Sequence, residues 1–436
     1  MSPARSCTPP AAPSARCGRP AIAATMGPVL DEENEAAQAR DKVLAQERDL
    51  RERVRAFLAE HPPAQTPRED FLAARFDAGL GYVHYPVGHG GLGLPRNAQP
   101  ALEDELANAG APDIDVRLNV IGLGMAAPTI IACASEEQKA RWLRSLWTGA
   151  EIWCQLFSEP GAGSDLASLA TRAVRDGDDW VVTGQKVWTS LAHHARRGLL
   201  LARTDPDVPK HAGLTYFALD LHAPGVEVRP LRQLTGEAEF NEVFLSQVRV
   251  PDADRIGAVG DGWKVANATL MNERVAIGSS RAVAREEGAA GFAAAAWRQH
   301  PERRTQDLHQ RLLKLWAQAE VSRLAAERLR QQLAAGQPGP EGSASKLIFA
   351  LLNQELSGWE VDFAGTDGLR YDDWAMRRDA SSDYARGPVF RYLRSRGNSI
   401  EGGTSEILRN IIAERVLRLP AEPRADKDIP WKDLPR

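Results

Sequence analysis

Residues 154–190 read CQLFSEPGAGSDLASLATRAVRDGDDWVVTGQKVWTS. The stretch joins a glycine-punctuated, serine-bearing loop to a short β-hairpin that closes on an aromatic, Trp188. Gly161 and Gly163 lack a Cβ, so their backbone is free to take positive φ and to come close to a ligand. Consecutive N–H groups in such a loop make a nest suited to phosphate or a polarised carbonyl. Ser158 and Ser164 add hydroxyls that both donate and accept. Taken alone, the glycines fit an ordinary tight loop equally well, and a core position is the commoner fate of a strand tryptophan.

Working outward, the period of the apolar residues divides the chain into blocks. Residues 1–40 are set aside as a disordered tail. The first thirty are rich in Pro, Ala, Ser and Arg, and Pro9, Pro10, Pro13 and Pro20 oppose an amphipathic presequence helix; Met26 is a candidate true start. Over 41–150 the pattern is helical: Leu50, Val54, Phe57 and Leu58 share a face, Pro62-Pro63 stops them, and a further helix is expected from Pro100 to Ala109. The glycines of 88–93 have no strand–loop–helix unit around them and read as a structural turn. Over 151–260 the period becomes two, with strands at Trp180–Thr183, Gly198–Ala202, Leu214–Leu219 and Glu242–Leu245. Residues 261–419 return to helix, with one from Gln306 to Leu333 and one from Ser343 to Phe363, and 420–436 form a second tail. The expected class is α+β: an N-terminal all-α domain, a central β-barrel or sandwich-like domain, and a C-terminal four-helix bundle.

The chain has 436 residues, ample for two or three domains, and a formal net charge of −4, with no basic surplus to attract nucleic acid. Its four cysteines show no metal or redox spacing. A reducing bacterial cytoplasm is the expected location, ahead of a mitochondrial matrix.

The segment Glu159-Pro160-Gly161-Ala162-Gly163-Ser164-Asp165, followed by Gly184-Gln185-Lys186-Val187-Trp188-Thr189-Ser190, closely resembles the flavin-binding segment of the acyl-CoA dehydrogenase family. The likeness runs from about residue 45 to 419 and is of the bacterial type. It implies FAD as cofactor, with Phe157 and Ser158 along the flavin ring. Ser164, after Gly163, would meet the acyl-CoA or the flavin phosphates. Trp188 would wall the isoalloxazine, and Ser190 would lie near its reactive nitrogen. It further implies an acyl-CoA substrate, an electron-transfer flavoprotein as electron acceptor, and a homodimer or homotetramer.

Such chemistry needs one ionised, shielded carboxylate to remove the α-proton. Two candidates present themselves. Glu273 falls on a helical face with Ala266, Leu270 and Ile277, with no cation three or four residues away. A carboxylate there is costly unless it acts or meets a distant partner, such as an arginine from another helix. Glu401 lies in Ser399-Ile400-Glu401-Gly402-Gly403-Thr404-Ser405, where most of the family place their base just before Gly-Thr. Here two glycines intervene, so Gly402 takes that place. Isovaleryl- and long-chain-type relatives instead carry the glutamate on the helix before an arginine, as in Glu273-Arg274. Glu273 is therefore the chosen base, with Glu401 in reserve. The resemblance also gives the Gly402 N–H to the thioester oxygen, Arg274 to the substrate or its loop, and Thr404, at a helix start, to the cofactor.

Two departures weaken the adenosine side of the cofactor site. Ala296–Arg304 lacks the family's Arg-x-x-Phe-Gly, leaving Arg298 or Arg303 as substitutes, and Phe363–Leu369 replaces a glycine-rich run. Two rival readings follow: a flavin hydroxylase on the same fold, and a non-catalytic or half-site subunit of a hetero-oligomer.

Overall fold

The computed structural model describes residues 27–278, 288–334, 342–371, 373–378, 386–424 and 426–434, without side chains for 27–42, 274–278, 330 and 333–334. The first helix, α1 (Gly27–Glu60), begins before the expected Asp41, and residues 1–26 of the expected tail lie outside the description. It is followed by α2 (Arg68–Asp77), α3 (Gln99–Asn108), α4 (Ala127–Cys133) and α5 (Glu136–Thr148). Leu50, Val54 and Phe57 of α1 are buried with Phe71, Leu80 and Trp147, so the predicted stripe is the one that packs. A Ser135–Gln138 capping box starts α5, and Gly149, at φ 81°, ends it. The turn at 88–93 is structural, as read: the Gly90 carbonyl accepts the Gly81 N–H, and a side chain on Gly91 would strike the backbone of Tyr85.

Eight strands follow: β1 (Trp153–Leu156), β2 (Arg172–Asp176), β3 (Asp179–Ser190), β4 (Arg197–Arg203), β5 (Leu214–Asp220), β6 (Val226–Leu231), β7 (Phe240–Pro251) and β8 (Arg255–Ile256). They form one mixed sheet in the order β6-β7-β3-β2-β4-β5-β8, with β1 running parallel to β4. The four expected strands lie inside β3, β4, β5 and β7.

The last block holds α6 (Gly262–Gly278), α7 (Ala289–Gln299), α8 (Gln306–Ala334), α9 (Gly342–Ala364), α10 (Pro388–Ser395) and α11 (Ser405–Ile411). Helix α9 is the hub against which α6, α7, α8, α10 and α11 pack. One of its faces is apolar, with Leu356, Trp359 and Phe363 in the bundle core. Another carries a buried polar row at helical spacing: Ser343, Lys346, Asn353, Ser357 and Glu360. Asn353 donates to Asn398, Ser357 pairs with Ser395, and Glu360 receives a two-bond clamp from Arg391. Buried polar groups are costly without partners, so these three contacts fix the register of α10 and the loop after it, while the buried Ser343 hydroxyl has no partner among the described residues.

The C-terminal segment is not a free tail. Pro430 bridges to Pro209, the Trp431 indole donates to the Ser168 carbonyl at 3.2 Å, and Arg203 stacks over its ring at 4.4 Å. Trp431 supplies apolar area and a donor together, which is enough to hold a short segment against the sheet.

Candidate active site

The loop at 157–165 is held from beneath by an ion pair. Lys186, fully buried on β3, donates to Glu159 at 2.8 Å, to the Phe157 carbonyl at 3.0 Å and to the Leu201 carbonyl at 2.9 Å. Glu159 also accepts the N–H groups of Ala170 and Thr171, at 2.7 and 2.9 Å. Burial raises the Glu159 pKa, but the ammonium and these N–H groups outweigh it and hold the carboxyl below its usual range. The Val187 N–H closes the cradle on the Ser158 carbonyl at 2.9 Å. All three ammonium donors are thereby spent on two segments that must stay in register.

Gly161 and Gly163 do not take positive φ, against expectation; the turn is made by reciprocal bonds between Glu159 and Ala162. Nothing lies within 4 Å of where a Cβ would stand on either glycine, so a ligand can approach the backbone there. Ser164 is exposed on the outer side of this loop. The Phe157 ring is buried edge-on against Tyr216, so only its backbone is left to face a cofactor.

Beyond Lys186 the β3–β7 register slips, and Trp188 takes φ 59°, a left-handed conformation that bulky residues rarely adopt. Its ring is 58% exposed and meets Phe240 edge-on at 5.9 Å. Strained backbone of this kind collects at ligand-binding sites, and here it turns a large aromatic face outward. Ser190, half-buried, ends the strand opposite Phe240.

Helix α6 is tied to this loop by a hydroxyl chain. Thr269 bonds Tyr216 at 2.8 Å and Thr129 at 3.0 Å, which locks α6 to β5 and α4. One turn later along the same face comes Glu273, and Gln155, two residues before Phe157, places its amide nitrogen 3.5 Å from the Glu273 carboxylate. The carboxylate thus stands beside the strand that leads into the flavin motif. The Arg274 side chain lies outside the described residues.

Glu401 is engaged elsewhere. Arg394 of α10 clamps both its oxygens at 3.2 and 3.0 Å, and Asn398 donates to it at 2.6 Å. These charge-assisted bonds occupy both carboxylate oxygens and hold the side chain against α10. Arg394 also lies 5.9 Å from the Phe240 ring that supports Trp188, so it links the 398–404 loop to the aromatic wall. Gly402 and Gly403 both take positive φ, at 63° and 96°. Thr404 caps α11 by accepting the Ile407 N–H at 3.2 Å, which leaves its hydroxyl proton for a ligand. Helix α11 has only seven residues and offers little macrodipole.

The structure therefore brings together 155–158, Trp188, Glu273, and the 398–404 loop with Arg394. It leaves Ser164 at the rim. Arg303, offered as a substitute on the adenosine side, is occupied by Asp367 at 2.9 Å, while Arg298 is exposed. Sequence reading missed Gln155, Lys346 and Arg394, and it took Glu159 and Lys186 for motif letters rather than a pair. The residues present are of the kind a flavin needs: Trp188 turns an aromatic face outward, the backbone at Gly161 and Gly163 is open, and a half-buried carboxylate, Glu273, stands beside Gln155.

Models of the acyl-CoA dehydrogenase N-terminal, middle and C-terminal domains match residues 45–150, 154–248 and 260–417. The chain belongs to the acyl-CoA dehydrogenase family. That family is one of FAD-dependent oxidoreductases. The chain is 41% identical to Acyl-CoA dehydrogenase FadE34 of Mycobacterium tuberculosis, over 86% of this chain but half of that longer protein. It is 42% identical to Acyl-CoA dehydrogenase IpdE1 of the same organism, covering 79% of this chain and 86% of the relative. Among solved structures, the Tcur3481-Tcur3483 steroid ACAD aligns with a TM-score of 0.65 at 26% identity, over 87% of this chain and 98% of that one. The ChsE4-ChsE5 complex of Mycobacterium tuberculosis aligns with a TM-score of 0.62 at 29% identity, over 86% and 98%. Acyl-CoA dehydrogenases of this order carry a helical block, a mixed sheet and a helical bundle, as here.

Proposed function

We propose that this acyl-CoA dehydrogenase converts an acyl-CoA thioester to its trans-2-enoyl form with Glu273 as base. The observation that carries this reading is the approach of Gln155 to Glu273, which seats the carboxylate beside the flavin-binding strand. FAD, when bound, would supply the acceptor for the β-hydride, and a separate electron-transfer flavoprotein would take the two electrons. Glu273 removes the α-proton as the β-hydride departs, so the carbon–carbon double bond forms without net charge change on the substrate. The Gly402 N–H donates to the thioester oxygen, where negative charge grows as the α-proton leaves. Trp188 and residues 155–158 would hold the flavin ring, and Arg394 ties the 398–404 loop to Phe240 beside Trp188.

Glu273→Gln should abolish flavin reduction by substrate while FAD stays bound. Glu401→Gln should cost far less. Loss of activity in the Glu401 variant alone would reverse the assignment of the base.

Leu313, Val321 and Leu324 on α8 and Ile348, Phe349 and Leu351 on α9 are exposed apolar side chains on two helices that pack against each other. They support a subunit interface, in a homodimer, homotetramer or hetero-oligomer. The hetero-oligomer is favoured by Arg303, which Asp367 already holds, and by the likeness to the ChsE4-ChsE5 complex. The likeness to a steroid ACAD directs the substrate search toward polycyclic acyl groups. Among the described residues no helix is long and apolar enough to cross a membrane. A cytoplasmic location accords with the two described cysteines, Cys133 and Cys154, both of which are free.

A further inference from the structure

The turn at Trp188 is strained twice. Trp188 takes φ 59° and the buried Leu191 takes φ 57°, two of the four described non-glycine residues at positive φ. Left-handed backbone at residues of this size persists only where neighbouring groups over-determine it. Here the neighbours are side chains from the far end of the turn and from two other segments. Asn241, fully buried on β7, stands opposite Thr189 where the β3–β7 ladder resumes after its slip. Its amide nitrogen lies 3.0 Å from the Thr189 carbonyl, 3.1 Å from the Glu239 carbonyl and 3.1 Å from His193 Nδ1. Its oxygen accepts from Arg378 Nη2 at 2.7 Å. His193 Nε2 in turn donates to the Arg378 carbonyl at 2.6 Å, and the Leu191 N–H donates to the Glu239 carbonyl at 2.8 Å.

Arg378 belongs to neither strand but to the stretch between α9 and α10, which crosses from the bundle to the 232–239 turn joining β6 to β7. Tyr371 donates to the Thr235 carbonyl at 2.7 Å, Arg232 to the Trp374 carbonyl at 2.6 Å, and the Ala238 N–H to the Arg377 carbonyl at 2.7 Å. Arg386 fastens the same stretch by bridging Asp373, at 2.7 Å, to Glu237, at 2.5 Å. The C-terminal block thereby reaches over the sheet and closes on the residue opposite Thr189. The direction of the Asn241 amide is dictated by its partners: a guanidinium only donates, whereas the two carbonyls only accept. Without Arg378 the amide oxygen would be left buried and unpaired.

We infer that Asn241 and Arg378 are positioning residues for the flavin wall: Arg378 orients the Asn241 amide, and that amide holds the Thr189 carbonyl so that Trp188 faces the flavin. The inference rests on Trp188 lining the flavin site. It gives the 373–378 stretch a part in cofactor binding although none of its residues lies in the flavin motifs.

The test places Arg378→Met and Asn241→Leu in two backgrounds, the wild type and Trp188→Gly, since glycine adopts this φ without strain. FAD affinity is read by fluorescence titration, and residue-resolved amide exchange is followed on the FAD-loaded protein. In the wild-type background Arg378→Met should weaken FAD binding about tenfold; in Trp188→Gly it should weaken it less than about threefold, because no wall remains to be held. Protection of the Leu191 N–H should fall about tenfold, while that of the Val187 N–H, bonded to Ser158 before the strained turn, should stay unchanged. Asn241→Leu should show the same pattern with larger losses. If Asn241→Leu does not fold, Arg378→Met decides. Equal losses of affinity in the two backgrounds, or protection lost at Val187 together with Leu191, would mean a general structural role and overturn the inference. So would unchanged FAD affinity in Arg378→Met. If Trp188→Gly by itself leaves FAD affinity unchanged, the placing of Trp188 at the flavin fails, and this inference falls with it.

Discussion

Replacing Lys186 by methionine tests whether the flavin cradle is held by its buried ion pair. Methionine fills similar volume without charge, so the cavity contribution stays small. What is lost is the 2.8 Å bond to Glu159 and the donors for the Phe157 and Leu201 carbonyls. Removing one member of a buried pair costs about 3–5 kcal/mol, because the other charge is left without its partner. Glu159 keeps its bonds from Ala170 and Thr171, which favours the lower end of that range. The Val187 N–H bonds the Ser158 carbonyl across the affected segment and is the natural reporter. Its hydrogen-exchange protection should fall by roughly 100-fold, the equivalent of about 3 kcal/mol of local opening. FAD retention should fall with it. The double variant Lys186→Met/Glu159→Gln should lose less than the two single losses combined, by more than about 1 kcal/mol. Unchanged protection at Val187, or strictly additive losses, would refute the argument.

Three further outcomes follow from the same structure. Trp188→Gly relieves the left-handed backbone at that position, so thermal stability should hold or rise while FAD affinity drops, as read by fluorescence titration. Acid should weaken the cradle. The Glu159 pKa is depressed in the fold, so its stabilisation is complete above the ordinary value of 4.5 and fades as pH falls through the lower folded value; Glu159→Gln should flatten that limb of the stability curve. Trp431→Ala should release the segment from 426 onward, seen as faster proteolysis there, with the bundle unaffected.

The block order, four of the strands and the long helices were legible because their apolar residues repeat at the period of the element that forms. Strand β1 was not, since Trp153–Leu156 is buried on both faces and shows no alternation. Strand β2 reads RAVRD, with Ala173 alone buried, and β6 is an edge strand carrying Pro230. Glu273, the proposed base on α6, was legible as a carboxylate in an apolar stripe. Lys186 carried an equally plain signal, a lysine in the inward register of Trp180 and Val182, which asks for a buried acid. The polar row on α9 was also visible at helical spacing. Its partners were not, because Asn398 and the Gly403 carbonyl lie in an irregular loop whose path no periodicity specifies. The same holds for Arg394, whose hold on Glu401 depends on how α10 runs into that loop.

The central claim is that a thioester reduces flavin bound between Trp188 and α6, with Glu273 taking the proton. Anaerobic visible spectroscopy of the purified protein, titrated with straight, branched and polycyclic acyl-CoAs, tests it most directly. The account predicts bleaching of the flavin band by at least one thioester, and no bleaching by the same thioester in Glu273→Gln. A yellow wild type that no thioester bleaches, but that consumes oxygen once a reductase supplies electrons, would contradict it.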